Sequence, residues 1–108
     1  MDKLELLQRE RAKLIEIFKD VEPGKAQLVS GLIDDAAFLY AENRELRELM
    51  AETGMIKIHP QFRDRQKQTE AAKQFLKNVN SYAVIIKTLN GVLSKNVLEP
   101  DDGLDEFE

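Results

Sequence analysis

Three successive stretches of this chain space their apolar residues with the period of an α-helix. In Lys3 to Val21, Leu4, Leu7, Leu14, Ile15 and Phe18 fall on one side while Glu5, Arg9, Lys13 and Glu16 interleave, which predicts an amphipathic helix over about residues 3–21. Glu22-Pro23-Gly24 ends it, because proline disfavours helical geometry in the residue before it and glycine turns readily. A second helix is expected over about 25–52, closed by Thr53-Gly54, whose glycine suits the left-handed conformation past a helix end. Met55 to Ile58 alternate too briefly for a strand and Pro60 holds His59 extended, so a loop is expected there before a third helix over about 63–95.

The second and third helices share a stricter rule. Val29, Leu32, Ala36, Leu39, Asn43, Leu46 and Met50 advance in steps of three and four, as do Ala72, Phe75, Val79, Tyr82, Ile86, Leu89 and Leu93. Matched seams of this kind pair as in a coiled coil. The short loop between them would return one helix antiparallel to the other over roughly 40 to 50 Å, at about 1.5 Å per residue. The expected fold is therefore all-α, a long antiparallel helical hairpin with an additional N-terminal helix. Asn43 is the polar member of its seam; either it is buried and fixes register at a cost in stability, or the seam opens to solvent there.

Some apolar residues lie off the seams. Phe38 does so in the second helix, and Val84 and Ile85 in the third, within the nearly continuous apolar runs Ala36 to Ala41 and Tyr82 to Ile86. The first helix can cover one side. Symmetric self-association would cover the rest, which makes Phe38, Val84 and Ile85 the candidate interface of a homo-oligomer.

A chain of 108 residues without cysteine fits one helical domain over residues 1–96, with no disulfide or thiolate site. Its apolar runs fall far short of the roughly 18 residues of a membrane span, and the charged start Met1-Asp2-Lys3-Leu4-Glu5 is unlike a signal peptide, so a cytoplasmic protein is expected. Catalytic chemistry finds little to work with. His59 is the single histidine, Gly24-Lys25 lacks the upstream glycine of a phosphate loop, and Asp34 and Asp35 point about 100° apart on a helix. No enzyme, metal or cofactor site is expected.

Charge changes the picture most. Residues 1–60 hold nine Lys/Arg against twelve Asp/Glu, residues 61–96 seven against two, and residues 97–108 none against six. The last segment, with Pro100, Asp101, Asp102 and Gly103, is expected to be a disordered acidic tail. In the third heptad series Lys67, Lys73, Lys77, Lys87 and Lys95 take outward positions, with Glu70 the acid among them. A one-signed face of this kind suits the phosphates of double-stranded DNA, while the lack of tryptophan argues against stacking on single strands. The alternative is the solvated exterior of a structural or adaptor coiled coil that binds no nucleic acid.

The stretch Leu46-Arg47-Glu48-Leu49-Met50-Ala51-Glu52-Thr53-Gly54-Met55-Ile56-Lys57-Ile58-His59-Pro60, followed by a basic helix with Asn80-Ser81-Tyr82-Ala83-Val84-Ile85-Ile86-Lys87-Thr88-Leu89, resembles the small subunits of phage terminases. The resemblance spans roughly residues 30–96: a helix ending at glycine, a short loop with a proline, and a long helix. It implies a non-enzymatic DNA-packaging factor, working in the host cytoplasm, that assembles into a ring, binds viral DNA and regulates a large subunit with ATPase and nuclease activity. Many such proteins carry an N-terminal helix-turn-helix reader of DNA sequence; residues 1–24 are too short for one, so the resemblance does not extend to sequence-specific reading.

Overall fold

The computed structural model describes residues 2–97, with side chains as far as Ser94. It is an all-α fold with one short sheet: α1 (Lys3–Ile17), α2 (Pro23–Thr53), β1 (Ile56–Ile58), β2 (Gln66–Gln68) and α3 (Glu70–Val97). The acidic tail expected beyond α3 lies outside the described residues, and Val97, assigned to it from sequence, ends the helix.

Asp2 caps α1 by accepting the Glu5 N–H at 2.8 Å, satisfying one of the unpaired donors of a helix start. The helix stops at Ile17 and not at Val21 as expected, and Phe18 closes it by donating its N–H to the Leu14 carbonyl at 3.0 Å. Reversing the chain needs these residues: the whole turn falls in 18–22, and α2 begins at once on Pro23, two residues before the expected start. Proline suits that first helical position because its missing N–H would find no partner there. Gly54 ends α2 at a positive φ of 77°, which favours glycine as expected, though its ψ of 174° is extended and not left-handed helical.

The larger departure lies between α2 and α3. Residues 56–68 are not a loop running into a helix; they form an antiparallel β-hairpin with Ile56 opposite Gln68, Lys57 opposite Lys67 and Ile58 opposite Gln66. The third helix therefore starts at Glu70 and not near Arg63, because Thr69 is committed to closing the hairpin and capping the helix.

Helix α2 is central. Ion pairs of Lys3 with Glu42 (2.5 Å) and Glu45 (3.2 Å), and of Arg11 with Asp34 (2.6 Å), set α1 antiparallel along it. These exposed pairs fix register more than they add stability, since such pairs are worth about 0–1 kcal/mol. Most of the expected seam positions are turned inward. Val29, Ala36, Asn43, Ala72 and Leu89 are buried, and Leu32, Leu39, Leu46, Phe75, Tyr82 and Ile86 half-buried. Tyr40 meets Tyr82 at 6.5 Å between ring centres, and the Arg47 guanidinium lies 5.9 Å from the Phe75 ring. Val79 departs from the seam: it is 39% exposed and lines an open groove with Tyr40, Asn43, Arg44 and Arg47. A second buried line, Ile33, Ala37 and Ala41 in steps of four, equips α2 for α1.

The apolar core sits at one end, where Leu14, Phe18 and Val21 meet Val29, Ile33 and Ala36 of α2 and Leu89 of α3. The hairpin caps the other end. With extents of 64 × 37 × 15 Å and a radius of gyration of 19.0 Å, against roughly 13 Å for a compact domain of similar length, the molecule is a thin slab. Domains normally bury apolar faces between two layers. This one leaves Leu28, Phe38, Leu49, Leu76 and Val84 exposed.

Candidate functional site

Helix α3 carries no acidic residue after Glu70. At about 3.6 residues per turn, Lys73, Lys77 and Lys87 fall in one sector, opposite the inward Phe75, Tyr82 and Leu89. Lys77 and Lys87 are exposed; Lys73 is half-buried and pairs with Glu70 at 3.4 Å. The side chain of Lys95 lies outside the described residues. Lys67, read from sequence as part of this face, is instead on β2, because the hairpin occupies the segment that the heptad count ran through.

Relocating Lys67 brings it beside residues that sequence reasoning did not single out. Alternation along the strands puts Lys57 and Lys67 on one side of the hairpin and Ile56 and Ile58, with Gln66 and Gln68, on the other; all six are exposed. The connecting turn is tightly bonded. His59 donates its N–H to the Arg65 carbonyl (3.0 Å), and Arg65 donates its own to the Phe62 carbonyl (2.8 Å). The His59 Nδ1 accepts the N–H groups of Gln61 and Phe62, both at 3.1 Å. The Phe62 ring is flanked by the His59 ring at 5.1 Å and the Arg65 guanidinium at 4.7 Å. At the base, the Thr69 N–H donates to the Met55 carbonyl at 2.9 Å while its Oγ1 accepts the Ala72 N–H at 3.2 Å, so one residue closes the hairpin and caps α3. Lys57, Arg63 and Arg65 thus join the basic surface. Their sequence signal was the alternation Ile56-Lys57-Ile58 and Gln66-Lys67-Gln68, three residues each, too short to outweigh a helical period.

The three candidate interface residues do not share a surface. Phe38 is 53% exposed on the outer side of α2, in line with Leu49 eleven residues on, about three helical turns away. Val84, 64% exposed, stands among the lysines of α3. Ile85 is half-buried and packs against the core cluster, so less of it is open to a partner than of Val84.

Other polar groups are structural. Tyr82 is held above its usual pKa by burial first, then by the charge of Glu10 and by Tyr40. Lys3 is raised by its hydrogen bonds to Glu42 and Glu45. A groove of about 490 Å³ between α1 and α2 is lined by charges of both signs, among them Arg9, Glu10, Lys13 and Glu45, and selects no ligand charge. Among the described residues no helix is long and apolar enough to cross a membrane, and no three His, Cys, Asp or Glu side chains gather as metal ligands would. No protein family, curated protein or solved structure matches the chain.

Proposed function

We propose that this chain is a non-enzymatic, oligomeric DNA-packaging factor of the terminase small-subunit kind, which binds duplex viral DNA and regulates a large-subunit ATPase-nuclease. The observation that carries the DNA reading is the outward side of α3, where Lys73, Lys77 and Lys87 follow one another with no acid after Glu70. Its dependence on assembly is physical: a few lysines bind weakly, and repetition around a ring multiplies them into a belt. The thin, elongated shape supports assembly, since Phe38 and Leu49 on α2 have no cover among the described residues.

Each phosphate neutralised releases condensed counterion, so the logarithm of affinity falls with that of salt by about 0.9 per contact. Replacing Lys73, Lys77 and Lys87 by alanine is expected to weaken binding to a labelled duplex and flatten its salt dependence, equally for cognate and unrelated sequences, because backbone contacts carry no base information. Unchanged affinity and slope would hand the function to the adaptor reading, in which the face is solvated exterior. Assembly is tested separately. Light scattering is expected to give a multiple of the 12.4 kDa chain mass, and Phe38→Glu with Leu49→Glu to reduce it while helix content is kept. A monomeric wild-type chain would end the ring model.

A further inference from the structure

The β-hairpin has a cost that packing among the described residues does not explain. Its six strand residues are exposed, and a two-stranded hairpin alone is marginally stable. Lys57 and Lys67 are direct cross-strand partners on the same side, and neither makes an ion pair among the described residues. Like charges so placed destabilise a strand pair. Over residues 54–69 the cations are Lys57, Arg63, Arg65 and Lys67, and Asp64 is the single acid. Yet the element is firmly built, through Thr69 at its base and the His59 bonds at its tip.

We propose that this hairpin is a second duplex-DNA contact, with Lys57, Lys67 and Arg65 engaging phosphates at one end of the basic stripe that continues along α3. The proposal rests on the duplex-DNA reading above and adds a site to it. The lysine side of the hairpin opens onto a groove that it shares with Glu70 and Ala71 at the start of α3, and the Glu70 carboxylate holds Lys73. Hairpin and helix cations therefore run on from one another. From Glu70 to Lys87 the helix alone covers about 26 Å at roughly 1.5 Å per residue. An extended row of cations fits an extended row of anions, and duplex DNA presents one charge per roughly 1.7 Å of axis. Arg65 is already stacked on Phe62, so little side-chain freedom is lost when its guanidinium meets a phosphate. The same stacking, with His59 beside it, occupies the Phe62 ring and disfavours base stacking by single strands. A two-stranded ribbon also has the width to enter a major groove.

The test uses the full-length chain and a short labelled duplex, with the matching single strand as second probe, across a salt series. Lys57→Gln, Lys67→Gln and Arg65→Gln together are expected to weaken duplex binding at least about tenfold and lower the salt slope by about two to three. The melting temperature should hold or rise, because the lysine pair no longer repels itself. Glu70→Gln is expected to tighten binding a few-fold by removing the carboxylate within the stripe. Wild-type affinity and slope in the triple variant, while Lys77→Gln with Lys87→Gln weakens binding, would overturn the hairpin site and leave the DNA reading standing. Absence of duplex binding by the wild-type chain would overturn both, and equal preference for the single strand would overturn the duplex assignment. Should the triple variant fail to fold, Glu70→Gln decides: binding no tighter than wild type overturns the proposal.

Discussion

Leu89→Ala is expected to destabilise the protein by about 2–5 kcal/mol, measured as the shift in a urea unfolding curve. Leu89 is 1% exposed and is the largest fully buried side chain among the described residues, at the point where all three helices meet. Truncation loses the transfer free energy of the removed carbons and leaves a cavity beside Phe18, Val29, Ile33 and Ala36, which a packed core closes only in part. The size of the effect matters against a total stability of about 5–15 kcal/mol for a domain of this kind. Val84→Ala on the same helix is the control: Val84 is 64% exposed, and its truncation should change stability by no more than about 0.5 kcal/mol. A comparable loss from both would show that the apolar core does not lie where these three helices converge.

Asn43→Leu is expected to act in the opposite direction, raising stability by about 1–3 kcal/mol. Asn43 is 8% exposed and its Oδ1 accepts no hydrogen bond, so the folded state carries the desolvation cost of that atom without compensation. Leucine is larger, and overpacking can cost as much as the polar atom does. Space decides the sign here: beside Asn43 lies an open groove of about 180 Å³, walled by Tyr40, Arg44, Arg47, Val79 and Tyr82, which takes the added carbons. The expected price is specificity of pairing, since a polar residue in a seam selects register and strand number. Urea unfolding and light scattering on one preparation check both effects. Lower stability in the leucine variant would mean that Oδ1 has a partner in the assembled protein.

The elements were legible from sequence where periodicity is long. Positions in steps of three and four marked the side of α2 that is largely turned inward, while the sequence left open whether Asn43 is buried, which only the packing decided. Glycine marked the end of α2 for a local reason, the positive φ of 77° at Gly54, whereas Pro23, read from sequence as a break, opens the helix because its fixed φ suits a first helical position. The basic run of α3 was also plain, because outward positions follow once inward ones are known.

Sequence alone could not place what depends on contacts between distant residues. Three-residue strands have no period to read, and the hairpin exists because Thr69 reaches back to Gly54 and Met55 across the intervening turn. That pairing moved Lys67 off the helix and set it against Lys57, creating a basic site from residues ten apart in the chain. Likewise Val84 and Ile85, adjacent and equally apolar, were separated only by packing: neighbours on a helix point about 100° apart, so the cover that reaches Ile85 misses Val84. Local pattern determined the helices and their inward stripes; burial and hydrogen bonding between distant residues, which act only once the helices are assembled, decided the hairpin, the core and which apolar side chains stay exposed.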